Sequence, residues 1–372
     1  MKRRDFLVAS TAALAAVATP SNLTAASTPP AASKNGGRGR ALMKLGCQRA
    51  PIEDTRLEFL KRHAVDHICG APAKPANGRY WTVDELARAK AQVEKHGIHL
   101  DMIPLPFLAS SHIDRTERPA IMLGSSPERD RDIEDIQKMI AACAQVGIPA
   151  IKYNMSLLGV VRTAPTEGRG GSIYSTWHYA EAKPEKPLTQ AGKVDAAQYW
   201  DRITYFLKAV VPTANEHKVR IACHPHDPGV PPQGYQGVDT VLGTVDGLKK
   251  FVTIAESPYH GLNFCQGTIS EMLQDPGREI FDVIRYFGSR QKIFNVHFRN
   301  IRGKRDHFSE TFPDEGDVNF WQAIQVYKEV GYDKMLMPDH MPKHKGDPDG
   351  NQAFAFAYGY IKALIQAVDQ IG

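Results

Sequence analysis

The chain has 372 residues, 42% of them hydrophobic and 23% charged, with a formal net charge of +5. These values fit a globular protein of one large or two ordinary domains. The body carries no dense basic run, which argues against a nucleic-acid partner, and five widely spaced cysteines without a CxxC pair exclude a disulfide framework.

The first residues, MKRRDFLVASTAALAAVATP, join a charged start to an apolar stretch of small residues. Arg3 and Arg4, followed by Phe6 and Leu7, resemble a twin-arginine export signal. Ala16-Val17-Ala18 and Thr24-Ala25-Ala26 are candidate cleavage sites. The apolar stretch is too short and too Ala-rich for a spanning helix, so no stable membrane span is expected once the signal is removed. The expected organisation is an export signal over 1–26, a Ser/Pro/Gly-rich linker over 27–41 and one domain over 42–372, with a periplasmic destination.

From residue 43 onward short apolar strands alternate with helical patterns. Strands are expected near 43–48, 65–70, 98–105, 150–155, 219–226, 261–268, 293–300 and 334–340. TVDELARAKAQVEKHG starts with a threonine cap, has a glutamate three residues on and ends in glycine, which predicts a helix. SSPERDRDIEDIQKMIAACAQVG, NFWQAIQVYKEVG and FAFAYGYIKALIQAV predict others. Eight alternations predict a closed parallel (β/α)8 barrel, a TIM barrel, whose active site lies at the C-terminal ends of the strands. No Gly-x-Gly-x-x-Gly turn follows the first strand, which disfavours a dinucleotide-binding sheet. Long connections after strand four (156–194), strand five (227–240) and strand seven (301–317) mark the functional face.

Four consecutive strands end in ligand-type side chains: His224 in IACHPHDPG, Cys265 in NFCQG, His297 in NVHFRN and Asp339 in MPDH. Each alone has an ordinary structural reading, as a core cysteine, a packed histidine or a helix-capping aspartate. Together on one rim they form a coherent set for a divalent transition metal. The chemistry leaves Mn2+, Fe2+ and Zn2+ open, the thiolate leaning slightly to Zn2+ or Fe2+. Arg299 lies two residues after His297 and, by strand alternation, on the same face, where it could clamp a substrate carboxylate or make a structural ion pair. His340 is placed for proton transfer or for a supporting hydrogen bond. Tyr153 and Asn154 end strand four, Arg162 follows in the loop, and His226 and Asp227 either meet a sugar hydroxyl or fix the turn before Pro228.

At these residues the sequence resembles the mannonate dehydratase family. KYNMSLLGVVRT (152–163) is similar in part to its Tyr-Asn-Phe-Met…Thr-Arg-Thr segment, and CHPHDPG to its His-Pro-Asp-Asp-Pro motif. NVHFRNIRG…HFSETFPDEGDV resembles its His-x-Arg…Phe-x-Glu…Gly-Asp stretch, and MPDH its Pro-Asp-His. The similarity spans about 43 to 365. It implies a metal-dependent barrel enzyme, usually with Mn2+, that dehydrates a hexonate to a 2-keto-3-deoxy sugar acid. It also implies His224, Cys265, His297 and Asp339 as metal ligands and His340, Arg299 and Tyr153 as the catalytic set. Asn154, Arg162, His226, Asp227 and Glu310 then meet the small anionic sugar acid. Related barrels often pair, so a homodimer is expected. The sequence departs from the family at His226, which replaces an aspartate, and at Met341, which replaces a glycine. The family's tyrosine before the last helix falls on Phe354 or Ala355, Tyr358 being the nearest tyrosine. The alternatives are an isomerase or epimerase of the xylose-isomerase-like superfamily, disfavoured by Cys265, and a silent sugar-acid binding protein.

Overall fold

The computed structural model describes residues 39–371 apart from 50, 184, 232 and 233. The export signal and nearly all of the linker expected over 1–41 lie outside these residues. Among the described residues no helix is long and apolar enough to cross a membrane.

Eight parallel strands close a barrel: β1 (Lys44–Cys47), β2 (His67–Cys69), β3 (His99–Pro104), β4 (Ala150–Asn154), β5 (Arg220–His224), β6 (His260–Cys265), β7 (Ile293–His297) and β8 (Met335–Met337). Each strand pairs with its neighbours in sequence, and β8 returns to β1 through Lys44↔Met335 and Leu45↔Leu336. The outer ring is α1 (Asp54–Arg62), α2 (Val83–Lys95), α3 (Glu128–Val146), α4 (Ala196–His217), α5 (Val245–Thr253), α6 (Pro276–Ser289), α7 (Phe320–Glu329) and α8 (Asn351–Ile371). The expected cap of α2 is present: Thr82 Oγ1 accepts from Glu85 N, and Glu85 Oε2 accepts from Thr82 N at 2.8 Å. Gly97 turns the chain out of that helix at φ +67°.

Alternation along the strands separates two cores. Outward residues such as Ile151, Tyr153, Ile221 and Cys223 pack under the helices. Inward residues Cys69, Met102, Ala150, Ala222, Phe294, Met335 and Met337 form a separate apolar cluster inside the barrel. The interior is therefore plugged with side chains, and the chemistry is lifted to the C-terminal rim.

Two of the expected loops contain strands of their own. Thr176–His178, Asn300–Lys304 and His307–Thr311 form a three-stranded antiparallel sheet over the rim, joining the connections after β4 and β7. A hairpin, Thr166–Glu167 with Ile173–Tyr174, extends it, and Ile173 pairs in turn with Lys343 from the connection after β8.

Candidate metal centre

The rim brings His224, Cys265, His297 and Asp339 together, one ligand-type atom of each lying within 4.8 Å of the other three. Local hydrogen bonds prepare these atoms. His224 Nδ1 is 2.7 Å from the Pro225 carbonyl, which can only accept, so Nδ1 carries the proton and Nε2 is left with its lone pair. At His297, Nε2 is 3.0 Å from Gln48 Oε1, while buried Nδ1 has no hydrogen-bond partner and lies 3.3 Å from Asp339 Oδ2. Fixing the distal nitrogen in this way is how metal-binding histidines are oriented. Burial, helped by the charge of Lys152, lowers His224 to about 4 and keeps it neutral.

Cys265 Sγ receives the Thr268 amide at 3.4 Å and its hydroxyl at 3.1 Å. Burial pushes this thiol up, but the Arg299 guanidinium and then His297 outweigh it and leave it below its ordinary value. Asp339 is held well below the usual carboxylate range, against burial, by His297, His340 and Arg299. Its Oδ2 lies 3.7 Å from Cys265 Sγ. A carboxylate held low and a thiol whose proton is loosened, faced by two imidazoles, fit a divalent cation.

Beside this cluster lies a buried charge network. Arg299 is fully buried, and Gly267 makes the room, since a Cβ there would stand 2.5 Å from Arg299 Nε. Its Nη1 pairs with Glu310, and its Nη2 reaches Asp227 Oδ2 at 3.1 Å, Glu271 Oε1 at 3.1 Å and Thr268 Oγ1 at 2.9 Å. Arg162 binds Asp227 Oδ1 at 2.6 Å and also pairs with Glu310. Burial raises Glu271, and the neighbouring Asp227 adds to it, so Glu271 titrates well above the usual range. Asp227 and Glu310 are held low by the arginines despite burial.

His340 stands at the edge of this network with 40% of its side chain exposed. Its Nδ1 lies 2.9 Å from Glu310 Oε2. Burial opposes its charge, but Asp339 and Glu310 raise it to about 9, so it is an imidazolium at neutral pH. It opens onto a cavity of about 800 Å³, whose lining includes Arg162, Glu310, Asp339, Lys343 and Phe354.

Several expected contacts are corrected by this geometry. Tyr153 points out of the barrel against Phe206, ring centroids 5.3 Å apart, and its buried hydroxyl has no hydrogen bond. It sits on the wrong face of β4 for the cavity, because its neighbours Lys152 and Asn154 take the inward positions. Arg299 is not available as a carboxylate clamp, since its guanidinium is enclosed by protein acids. His226 is buried, with Nε2 2.8 Å from the Met155 carbonyl and Nδ1 accepting from Leu242 N, so it braces the turn and does not meet the cavity. Asp227, 5% exposed, belongs to the arginine network and is likewise walled off from a sugar. Asn154 faces inward, its Cα paired in register with His224. Arg162 and Glu310 do line the cavity. Tyr358 does not: its hydroxyl is bound 3.0 Å from Cys47 Sγ.

Residues that sequence reasoning missed are Gln48, Lys152, Asn263, Thr268 and Glu271. Gln48 follows β1 directly, so the strand-end rule that found the ligands extends to it. Asn263 is two residues before Cys265 on the same face, and its Nδ2 lies 3.1 Å from His297 Nε2. Glu271 carries no local signal.

The sequence model of the D-mannonate dehydratase family matches residues 49–185 and 181–371. A mannonate dehydratase of Thermotoga maritima is 26% identical over 346 residues, covering 82% of this chain and 92% of that protein. Mannonate dehydratase 2 of Halalkalibacterium halodurans is 27% identical, covering 86% and 97%. The crystal structure of mannonate dehydratase from Streptococcus suis serotype 2 superposes with a TM-score of 0.75 at 23% identity, over 89% of this chain and 95% of that one. A xylose isomerase domain protein from Planctomyces limnophilus shares the fold at a TM-score of 0.56 and 13% identity. With both matched segments together spanning nearly all of the described residues, this chain belongs to the D-mannonate dehydratase family.

Proposed function

We propose that the protein is a metal-dependent hydro-lyase that converts D-mannonate to 2-keto-3-deoxy-D-gluconate and water. The observation that carries this reading is the cluster of four ligand-type atoms, with His224 held in one tautomer and Asp339 reaching a cavity that a cationic histidine also lines. His224, Cys265, His297 and Asp339 would hold the metal, for which we propose Mn2+. When bound, the ion would supply Lewis-acid stabilisation of the negative charge that develops as the C2 proton is lost. His340 holds a proton on Nε2 while Nδ1 is fixed by Glu310. It is therefore placed to protonate the C3 hydroxyl as it leaves as water, the C2 proton passing to solvent in the cavity, from which His340 is reprotonated. Glu310 and Arg162 shape the wall that receives the sugar hydroxyls, and Asn154 meets the substrate beside His224. No tyrosine serves as the base in this reading, because Tyr153 and Tyr358 are both turned away.

The test is an assay of the purified protein with added Mn2+ and with chelator against a panel of aldonates and uronates, following 2-keto-3-deoxy acid, with elemental analysis of the same sample. Keto acid from D-mannonate, lost on chelation, is expected. Bound metal without keto acid from any member would favour isomerisation. We further propose that residues 1–26 export the folded protein to the periplasm by the twin-arginine route. Replacement of Arg3 and Arg4 by lysine should hold the protein in the cytoplasmic fraction.

A further inference from the structure

Lys152, Lys292 and Arg299 are the cationic side chains buried most completely among the described residues. Arg299 is enclosed by acids, and Lys292 Nζ donates to the Ser257 carbonyl at 2.9 Å. Lys152 alone of the three has no hydrogen bond and no carboxylate within salt-bridge distance among the described residues. It is 8% exposed.

Its position is set by the alternation of β4. Ala150 is part of the cluster inside the barrel, so Lys152 and Asn154 point inward too. Lys152 is in register with Ala222, two residues below His224 on β5. Its stem therefore rises along the barrel interior towards the ligand cluster. Burial lowers the pKa of Lys152, the neighbouring Asp339 and Cys265 oppose that, and its own charge acts on His224.

An unpaired cation in so enclosed a place is costly, and an anion arriving from outside would relieve that cost. The protein offers none. Asp339 and a Cys265 thiolate would be matched by a divalent ion, and the other low-titrating carboxylates buried at the rim, Asp227 and Glu310, are taken by Arg162 and Arg299. The rim cations are otherwise engaged or hydrated: Arg49 donates to Asn351 Oδ1 and Asp349 O, and Lys343 is exposed. We propose that Lys152 is the counter-charge for the substrate carboxylate, the role that Arg299 cannot fill, and so selects acids over neutral sugars. This rests on the dehydratase reading only in taking the ligand to be a sugar acid.

The experiment is calorimetric titration of the Mn2+-loaded protein with a 3-deoxyhexonate, which lacks the leaving hydroxyl, and with its neutral alditol. Lys152→Met should weaken acid binding about 30-fold or more, the scale for one buried charge partner. Alditol binding should stay within about twofold, and metal content should be unchanged. Lys152→Gln, which keeps a polar end, gives the same comparison should the methionine variant fold poorly. Unchanged acid binding in a folded variant overturns the proposal, as does an equal loss for acid and alditol. Loss of acid binding in Lys343→Met or Arg49→Met, but not in Lys152→Met, also overturns it by moving the anchor to the rim. A wild type that binds the acid but yields no keto acid from D-mannonate defeats the dehydratase reading alone. One that binds no acid defeats both.

Discussion

Replacing Arg299 by alanine separates a substrate clamp from a structural keystone. The guanidinium is fully buried and faces Glu310, Glu271 and Asp227, with Asp339 3.6 Å from Nε. Removing it leaves Asp227 and Glu310 to share Arg162 and His340. Taking one partner from a buried ion pair costs about 3–5 kcal/mol. Native domains hold only about 5–15 kcal/mol in total, so this is a large fraction. At about 2–4 °C per kcal/mol for a domain of a few hundred residues, the melting temperature should fall by roughly 6–20 °C. Burial raises Glu310, but Arg299, His340 and Arg162 bring it from 4.5 down to about 2. Its stabilising contribution is complete above about pH 4.5 and is lost as pH falls towards 2. The gap between wild type and variant should therefore be widest above pH 4.5 and narrow below it. Thermal melts followed by circular dichroism, with and without metal, provide the measurement. A variant that melts within about 2 °C of wild type and only binds the acid more weakly would refute the keystone role and restore the clamp.

Three further outcomes are expected. Tyr153→Phe removes a buried hydroxyl that has no partner, so activity should stay within about twofold and the melting temperature should hold or rise; a tenfold loss of kcat would return Tyr153 to the chemistry. Cys265→Ser should strip most of the metal, read by elemental analysis after dialysis, while the far-ultraviolet spectrum is kept; normal metal content would remove Cys265 from the ligand set. Glu271→Gln should be nearly silent in thermal melts, because Glu271 is already shifted towards its neutral form, whereas Asp227→Asn should destabilise by about 2 kcal/mol or more by taking an anion from two arginines; equal effects would contradict the assigned charge states.

The clustering of His224, Cys265, His297 and Asp339 was legible because barrel strands end on one rim and each of four neighbours ended in a ligand-type side chain. The face of β4 was legible too, but was not read strictly. Tyr153 and Asn154 are adjacent, so one strand cannot turn both inward. Taking Asn154 as inward excludes Tyr153 and selects Lys152. The direction of Arg299 followed from His297 by the same rule, but its partners did not, since Glu271, Asp227 and Glu310 arrive from three other segments. The rim strands escaped because they are two to five residues long and half polar, so they lack the apolar run that marked the barrel strands.

Glu310 belongs to the rim sheet and Arg299 to the short segment that follows β7. Peeling the sheet away would break the pairs that Glu310 makes with Arg299 and Arg162. The covering over the cavity is thus expected to act as a fixed wall and not as a door that swings with each turnover. Met341–His344, Asp347–Gly350 and Phe354, which also line the cavity, are then the residues expected to limit what is admitted. Amide hydrogens of Asn300–Thr311 that exchange no faster than those of the barrel strands would be the signature of such a wall.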